Sequence, residues 1–583
     1  MRHVRSVDET PRPVAGGGAA RVLVASNRGP VAFATGDDGS LVVRRGGGGL
    51  VSGLHAVASG DIGSAGPARS AGGADSAGDS NSAGGAGGGL VWVCAALSEA
   101  DRRATRSTPD GRLDLAGHDT GGAAVHMLDV DRVVFDRAYN AVANRTLWFV
   151  LHLLYAPASQ PSFDAAFQRD WQAYEIYNAM FAEALAREAA PGAAVLIQDY
   201  HLTLVPAQLR NLRPDLRIAH FSHTPWAPPE YFRILPDDVA RAVIQGMLGA
   251  DRLGFLTPGW AEAFCRCAKA LLPADVELAA DADADAEVGR DSAGPRRVGD
   301  DARRSGSETD GARHLDGMLA AAGRRDDAGR RHDGMGGADG SWLRYRGRVV
   351  RIGVHPLGVD GDWLLKRASG QDVAARATEI RELAAGRRVI VRVDRTELSK
   401  NIVRGLDAYR ELLRDYPQWQ GRVVHIVCAY PSRHDLPEYR EYTAAVQRIV
   451  AEIEDEFATA TWLPVRLEVN DDYPRSLAAL SLAEVLVVNP IRDGMNLVAK
   501  EGAVLSRPGA ALVLSREAGA CVEMADDALV VNPFDVSATA RALHTALLMA
   551  ADERRDRCAR LAAVAGRLPP RKWFRDQLDA LLE

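Results

Sequence analysis

Short apolar runs alternate with longer amphipathic patterns along most of the chain, and this alternation predicts an α/β fold. Residues 485–488 are rich in β-branched side chains, as expected of a strand buried on both faces of a parallel sheet. Residues 167–187 show the spacing of apolar positions typical of a helix. Similar short runs predict strands at residues 22–25, 92–97, 194–198, 218–222, 388–393 and 423–429.

These predicted elements fall into two halves, and in each half polar residues directly follow the strands. We therefore predict two Rossmann-like domains that face each other across a cleft. The expected parts are a disordered tail (1–20), a first domain (21–358), a hinge at Gly358-Val359-Asp360, a second domain (359–545) and a helical segment (546–583) that packs back on the first domain.

Two low-complexity segments interrupt the first domain. Residues 60–89 are rich in Gly, Ala and Ser, which is typical of a flexible loop. Residues 278–340 mix both signs of charge with many glycines and almost no aromatic side chains, so they cannot bury enough apolar surface to offset chain entropy. We expect both segments to be flexible insertions.

The overall composition argues against several classes of protein. A formal net charge of −7 disfavours nucleic acid as a partner. No apolar run approaches the roughly 20 residues of a membrane span, and the first residues lack a signal-peptide core, so we expect a cytoplasmic protein that does not bind membranes. Cys265-x-Cys267 lacks the second pair that a zinc site needs. The oligomeric state, a homo-oligomer included, is left open.

The strongest candidate site lies in residues 484–505, EVLVVNPIRDGMNLVAKEGAVL. A strand leads into a loop marked by Pro490 and Gly494, and a helix is predicted from Asn496. Ligands bind at this edge of an open α/β sheet, where the free N–H groups of the helix favour an anion. Asp493 and Glu501 are placed to accept hydrogen bonds from sugar or ribose hydroxyls. The alternative is an ordinary βα unit with a solvated loop.

Two further patterns suggest phosphate binding. Arg395 and Lys400 follow a predicted strand five residues apart, and such a pair could clamp a diphosphate, although an exposed ion-pair cluster is the alternative. In the first domain, Gly46 to Gly49 precede an apolar helix start, where backbone N–H groups can approach a phosphate closely.

Polar and aromatic residues of the first domain complete the set of candidates. Asp199 follows one predicted strand, and His223-Thr224 follows the next. A lone histidine is usually structural, but two such strand ends in succession favour a site. Tyr139 and Trp148 either stack on a sugar or, more commonly for such side chains, pack in the core.

Eight motifs, in the same order along the chain, resemble the retaining GT-B glycosyltransferases that make trehalose 6-phosphate. The likeness covers nearly the whole chain apart from the tail and the two insertions. The motifs are SNRGP at Ser26, GGL at Gly48, YNAVANRTLW at Tyr139, QDYHL at Gln198, FSHTPW at Phe221, DRTELSKN at Asp394, PSR at Pro431 and RDGMNLVAKE at Arg492.

This resemblance implies transfer of glucose from a nucleotide-glucose to glucose 6-phosphate, with retention, to give α,α-trehalose 6-phosphate. The implied catalytic residues are Asp493, His223, Arg395 and Lys400. The implied donor-binding residues are these four with Gly48, Gly49, Asp471, Leu497, Val498, Ala499, Lys500 and Glu501. The implied acceptor-binding residues are Arg28, Tyr139, Asp199 and Arg433, and Trp148 and Thr224 correspond to positions linked with selecting the α anomer.

The resemblance also implies a mechanism without a protein nucleophile, since the leaving phosphate is thought to take the proton of the acceptor hydroxyl. No metal is expected, because cations and helix N-termini hold the diphosphate. The C-terminal half of the domain pair would then be the nucleotide-sugar domain and the N-terminal half the acceptor domain. We expect the product to leave phosphorylated, since no phosphatase domain is recognisable.

Two departures from the family pattern leave alternatives open. DRTELSKN replaces the more usual ERLDYSKG, and Asn470-Asp471-Asp472 stands where well-known members place a Phe beside the nucleobase, so UDP, GDP and ADP all remain candidates. Competing functions are a pseudo-glycosyltransferase that couples cyclitols, transfer to another phosphorylated acceptor, and a catalytically silent sugar-phosphate sensor. A sensor would be expected to lack Arg395, Lys400, Asp493 or Glu501, and all four are present.

Overall fold

The computed structural model describes residues 19–36, 38–45, 90–120, 123–280 and 341–583. Gly48 and Gly49 lie outside the described residues, as do the segment 60–89 and residues 281–340. The predictions made for these positions are therefore not addressed by the structure.

The N-terminal domain is built on one large sheet and a separate hairpin. Its strands are β1 (Ala20–Ala25), β2 (Val31–Thr35), β3 (Leu41–Arg45), β4 (Leu90–Ala95), β5 (Ala124–Leu128), β6 (Ala189–Gln198), β7 (Arg217–Ser222), β8 (Arg252–Phe255), β9 (Val276–Ala280), β10 (Ser341–Tyr345) and β11 (Arg348–Val354). Within the described residues, nine of them form the sheet β5-β4-β1-β6-β7-β8-β11-β10-β9, and β2 pairs with β3. Neighbours from β5 to β11 are parallel, so their carboxyl ends share one edge.

Helices cover both faces of this sheet, as apolar parallel strands require. The α-helices are Glu99–Arg106, Arg132–Phe135, Trp148–Leu151, Ala165–Glu188, Val205–Leu212, Pro229–Phe232, Asp237–Met247 and Pro258–Leu271. A π-helix spans Asp136–Leu147, and short 3-10 turns span Pro109–Gly111 and Tyr200–Leu202. The π-helix carries the Tyr139 motif, and such helices are frequent at functional sites.

The C-terminal domain has a smaller, fully parallel sheet. Its strands are β12 (Arg388–Arg395), β13 (Val423–Tyr430), β14 (Val465–Glu468), β15 (Val485–Val488), β16 (Ala511–Ser515) and β17 (Leu529–Val531), in the order β14-β13-β12-β15-β16-β17. Its α-helices are Gly361–Ala368, Gln371–Ala384, Ile402–Asp415, Pro437–Phe457, Tyr473–Leu482, Leu497–Leu505, Cys521–Met524 and Val536–Leu548, and 3-10 turns span Leu398–Lys400, Pro417–Trp419 and Ala525–Asp527. The predicted α/β fold with two Rossmann-like domains is confirmed.

Two predicted boundaries differ from the structure. The tail was expected to reach residue 20, but β1 already begins at Ala20. The second insertion was expected from residue 278, yet residues 278–280 belong to β9, where Leu278 pairs with Leu343 and Ala280 with Ser341. The local composition of residues 278–280 does not predict a strand. They form one because they pair with β10, which follows the insertion in sequence.

The C-terminal segment divides between the two domains instead of packing wholly on the first. Helix Ala551–Ala565 lies against helix Leu497–Leu505, where Cys558 Sγ donates to Ala503 O at 3.3 Å. Helix Pro570–Leu582 crosses to β6 and β7 of the N-terminal domain. Its Trp573 is buried and donates Nε1–H to His355 O at 2.9 Å, so this last helix ties the two domains together.

Candidate active site

Lys400 and Asp493 form an ion pair at the carboxyl edge of the C-terminal sheet. Lys400 ends the turn after β12, Asp493 lies in the loop after β15, and these two strands are parallel neighbours. Lys400 Nζ is 2.6 Å from Asp493 Oδ2, with the side chains 14% and 15% exposed. Asn496 Nδ2 donates to the same oxygen at 3.1 Å. No described residue donates to Asp493 Oδ1, which leaves that oxygen available for a ligand hydroxyl.

The Asp493 loop presses against the N-terminal domain. A Cβ atom at Gly494 would lie 1.9 Å from His223 O, so only glycine fits there. Trp260 Nε1 donates to Gly494 O at 3.2 Å, and Arg492 Nη2 donates to Trp226 O at 3.0 Å. The glycine of the RDGMN motif is therefore explained by close approach of the two domains.

Arg395 and Arg433 lie side by side because Arg395 ends β12 and Arg433 follows the neighbouring parallel strand β13. Arg395 Nη1 is 3.0 Å and Arg433 Nη1 is 3.7 Å from one oxygen, Glu397 Oε1. The Arg395 side chain is 46% exposed, and the charge of Glu397 raises its pKa. A cation predicted for the donor diphosphate thus lies next to one predicted for the acceptor.

Arg433 reaches across to the N-terminal domain. Its Nη2 donates to Tyr200 OH at 3.1 Å, and its Nη1 donates to Tyr439 OH at 2.7 Å. The guanidinium also lies over the ring of Trp148, with Cζ 4.1 Å from the centroid. Trp148 itself is only 8% exposed and stacks on His152 at 3.8 Å. Trp148 is thus a buried support for Arg433.

Asp199 faces both arginines from the N-terminal domain. It follows β6 with φ 74°, a strained conformation for a residue other than glycine. Its Oδ1 accepts the backbone N–H of His223 at 3.2 Å. Burial raises the pKa of Asp199 to about 6, although the charges of Arg433 and Arg395 act in the opposite direction.

His223 is held in one tautomer by a neighbour on β6. Its Nε2 lies 2.9 Å from Gln198 Oε1. Since that amide oxygen can only accept, Nε2 carries the proton and Nδ1 is left as an acceptor. Burial lowers the pKa of His223 to about 3, so the ring is neutral near pH 7. The next residue, Thr224, is buried, and its hydroxyl has no partner among the described residues.

Tyr139, His201 and Arg28 line the same side of the site. Tyr139 stacks on His201 with centroids 5.5 Å apart, and His201 Nδ1 is 4.0 Å from Asp199 Oδ2. Burial, together with the positive charges of Arg433 and Arg28, lowers the pKa of His201 to about 3. Arg28 is exposed, and its positive charge acts on the same imidazole as that of Arg433.

Helix Leu497–Leu505 presents the residues implied for the donor. Burial raises the pKa of Glu501 to about 7. The ammonium of Lys500 is already engaged, 2.5 Å from Glu523 Oε2 and 2.9 Å from Leu357 O, so its side chain is not available to a ligand. Leu497 and Val498 are half-buried and Ala499 is buried.

Asp471 is exposed in the loop between β14 and helix Tyr473–Leu482. Its charge and that of Glu501 both act on Tyr430 at the end of β13, where burial is the larger cause of a raised pKa. Asp471 and Glu501 therefore both act to raise the pKa of this one tyrosine in the C-terminal domain.

Comparison with known proteins identifies the family. The profile of glycosyltransferase family 20 matches residues 97–293 and 331–583, which is well over half of the chain. The chain belongs to glycosyltransferase family 20. The resemblance to trehalose-6-phosphate synthases noted in the motifs is thereby confirmed.

Curated relatives in this family are similar over about three quarters of the chain. A trehalose-6-phosphate synthase of Mycolicibacterium paratuberculosis is 33% identical over 449 residues, covering 76% of this chain and 78% of the relative. A bifunctional trehalose-6-phosphate synthase/phosphatase of Thermoproteus tenax is 30% identical over 449 residues, covering 76% of this chain but 51% of the relative. The chain thus spans about half the length of the Thermoproteus protein.

Solved structures of the family share the fold. A structure from E. coli bound with UDP-2-fluoro glucose gives a TM-score of 0.70 at 23% identity, covering 96% of this chain and 99% of that one. An α,α-trehalose-phosphate synthase (UDP-forming) from Burkholderia xenovorans in complex with glucose 6-phosphate gives 0.71 at 22% identity, covering 97% and 100%. At these identities the likeness supports the fold alone, and the GT-B architecture is confirmed.

Several residues of this candidate site were not singled out from the sequence. Gln198 fixes the His223 tautomer, His152 supports Trp148, Tyr439 binds Arg433, and Glu397 lies between two arginines. Trp148 and His152 are four residues apart, a spacing that places two side chains in contact on a helix, so the sequence contained a signal for this pair. No sequence signal indicated Tyr439, because its hydrogen bond with Arg433 depends on where helix Pro437–Phe457 begins.

The described part of the chain has no group of three or more His, Cys, Asp or Glu side chains that could hold a metal ion. Among the same residues, no helix is long and apolar enough to cross a membrane.

Proposed function

We propose that this family 20 protein transfers glucose from a nucleotide-glucose to glucose 6-phosphate with retention, giving α,α-trehalose 6-phosphate and a nucleoside diphosphate. One observation carries the proposal. Two cations implied for the donor, Arg395 and Lys400, and one implied for the acceptor, Arg433, lie beside the carboxylates of Glu397 and Asp493 where the two domains meet. Such a site suits two phosphorylated ligands whose sugar rings meet between them.

On the donor side, Arg395 and Lys400 would neutralise the diphosphate. Arg395 is half-exposed and Lys400 adjoins Asp493, so a diphosphate on these cations places its glucose next to the free oxygen of Asp493. Glu501 would accept the ribose hydroxyls. Relatives named as UDP-forming support UDP-glucose as the donor.

On the acceptor side, Arg28 and Arg433 would hold the 6-phosphate. Asp199, adjacent to both His201 and His223, would accept a hydroxyl of the acceptor sugar. Tyr139 would line the sugar beside His201. The unpartnered hydroxyl of buried Thr224 offers one hydrogen bond that depends on the anomer bound.

The chemistry follows from the state of Asp493. Lys400 and Asn496 occupy one of its oxygens, so this carboxylate is suited to hold the glucosyl hydroxyls and poorly suited to attack carbon. The bond from the anomeric carbon to the diphosphate oxygen breaks, and the acceptor hydroxyl forms the new bond on the same face. The leaving phosphate takes the hydroxyl proton, and the protein positions both sugars and stabilises the developing negative charge.

The test is an incubation of the purified protein with glucose 6-phosphate and, in turn, UDP-, GDP- and ADP-glucose. We expect a phosphorylated disaccharide whose NMR spectrum shows two α anomeric carbons in one linkage, formed fastest from UDP-glucose. Reactions with unphosphorylated glucose, and without acceptor, are the controls. Absence of product with all three donors would contradict the proposed function.

A further inference from the structure

Glu397 is a fully buried carboxylate surrounded by cations. Its side chain is 0% exposed. One oxygen, Oε1, lies 3.0 Å from Arg395 Nη1 and 3.7 Å from Arg433 Nη1, and accepts the hydroxyl of Ser432 at 2.8 Å. The other oxygen, Oε2, is buried and has no hydrogen-bond partner among the described residues.

A buried carboxylate with one unpartnered oxygen is costly, so it persists only where the surroundings compensate. Burial alone would raise the pKa of Glu397, but the charges of Arg395, Arg433 and Lys400 outweigh it and lower the pKa to about 2. The group is therefore an anion at every pH at which the protein would work.

The two arginines depend on Glu397 to different degrees. Arg433 has further partners in Tyr200, Tyr439 and the ring of Trp148. Arg395 is half-exposed, and among the described residues Glu397 is its one ion-pair partner. The charge of Glu397 raises the pKa of Arg395, and the like charge of Arg433 acts in the opposite direction, as expected of two neighbouring cations.

We infer that Glu397 is a positioning residue that fixes Arg395 and Arg433 next to each other through one shared carboxylate oxygen. The inference rests on the proposed function, since it takes Arg395 as a ligand of the donor diphosphate and Arg433 as a ligand of the acceptor. Glu397 would then set the distance between the two phosphorylated substrates without touching either of them.

Loss of this carboxylate should affect substrate binding in two opposite directions, whereas it should only lower kcat. Without it, Arg395 is free to adopt other rotamers, which weakens binding and orientation. Removal of a negative charge beside two phosphate sites strengthens binding. For Glu397→Gln we therefore expect kcat to fall at least tenfold, while KM for each substrate changes less than threefold. A purely structural role would not separate kcat from KM in this way.

Three variants and one control test the inference. Glu397→Gln removes the charge, and Glu397→Asp keeps it at a shorter reach and should recover part of kcat. Ser432→Ala is a milder change that removes only the hydroxyl donor, and should lower kcat several-fold even if Glu397→Gln folds poorly. Glu484→Gln is the matched control, because Glu484 Oε2 also joins two arginines, Arg388 at 3.0 Å and Arg554 at 3.4 Å, at the opposite end of β15.

A chemical readout makes the test independent of turnover. Phenylglyoxal modifies accessible arginines, and mass spectrometry follows the peptide that contains Arg395. We expect Glu397→Gln to raise the modification rate of Arg395 several-fold and Glu484→Gln to leave it unchanged. If the wild-type protein forms no disaccharide, the proposed function fails, and this rate alone decides whether Glu397 fixes Arg395.

Any of three results would overturn the inference. The first is an unchanged modification rate at Arg395 in Glu397→Gln. The second is a kcat for that variant within twofold of wild type, and the third is a loss of kcat that Glu484→Gln shares.

Discussion

Replacing Lys400 by alanine is the most direct test of the donor site. The change removes the ammonium 2.6 Å from Asp493 Oδ2 and leaves that oxygen with Asn496 alone. If Lys400 makes one charge-assisted bond to the donor phosphate, its loss costs about 1.5–3 kcal/mol in the transition state. That range corresponds to a fall in kcat/KM of about ten- to a hundredfold or more.

The same change should also affect stability. Asp493 is 15% exposed, and without Lys400 its carboxylate loses its one counter-ion among the described residues. Because the pair keeps some contact with solvent, we expect the cost to stay below the roughly 3–5 kcal/mol typical of breaking a fully buried pair. Thermal unfolding measured beside the kinetics separates this effect from the loss of catalysis.

Lys572→Ala is a matched control for this variant. Lys572 Nζ also lies 2.6 Å from an aspartate, Asp576, but the lysine side chain is 57% exposed on the last helix. Exposed pairs contribute about 0–1 kcal/mol, so activity and stability should both be nearly unchanged. Initial rates at sub-saturating donor are the assay, with calorimetry of UDP binding beside them. An unchanged rate for Lys400→Ala would refute the assignment of Lys400 to the donor phosphate.

Three other predictions follow from the site and the fold. Burial raises the pKa of Glu501 from 4.5 to about 7, so the folded protein is most stable with respect to this group below about pH 4.5 and loses that stability as the pH rises toward 7. Because ribose hydroxyls bind the ionised carboxylate, the affinity for UDP should rise between pH 6 and pH 8. Arg28→Ala should narrow the preference for glucose 6-phosphate over glucose and leave UDP affinity unchanged, as acceptor kinetics and calorimetry would show. Ala280 and Ser341 are paired neighbours on β9 and β10, so replacing residues 281–340 by a short Gly/Ser linker should leave the melting temperature and activity nearly unchanged.

Each of these three predictions has an outcome that contradicts it. A pH dependence of UDP affinity that Glu501→Gln retains would assign the titration to another group. Weaker UDP binding by Arg28→Ala, with the preference for the phosphorylated sugar intact, would move Arg28 to the donor. A drop of many degrees in the melting temperature on shortening 281–340 would show that this segment contributes to the folded core.

The sequence by itself determined the fold class and three of the six strands described in the C-terminal domain. The strand predicted at 485–488 coincides with β15, because four consecutive apolar residues bounded by a proline leave few alternatives. The motifs also determined the family, since glycosyltransferase family 20 matches across both domains. The signals behind these predictions are local, because each strand and each motif consists of residues within about a dozen positions of one another.

Only the tertiary structure decided which side chains meet. Lys400 and Asp493 are 93 residues apart in the chain and become partners because β12 and β15 are neighbours in the sheet. Arg433 and Tyr200 are 233 residues apart and lie in different domains. No periodicity carries such information, since it depends on strand order and on the way two domains close.

Long-range contacts also decided the structure at residues 278–280 and the position of Trp148, which the sequence did not determine. Residues 278–280 are a strand only because β10 supplies a partner from beyond residue 340. The sequence left Trp148 either as a sugar platform or as a core residue, and in the structure it is buried in the core, stacked on His152 beneath Arg433. Local composition determines what a segment can form, and the energy of long-range pairing and burial determines which of these states the folded protein adopts.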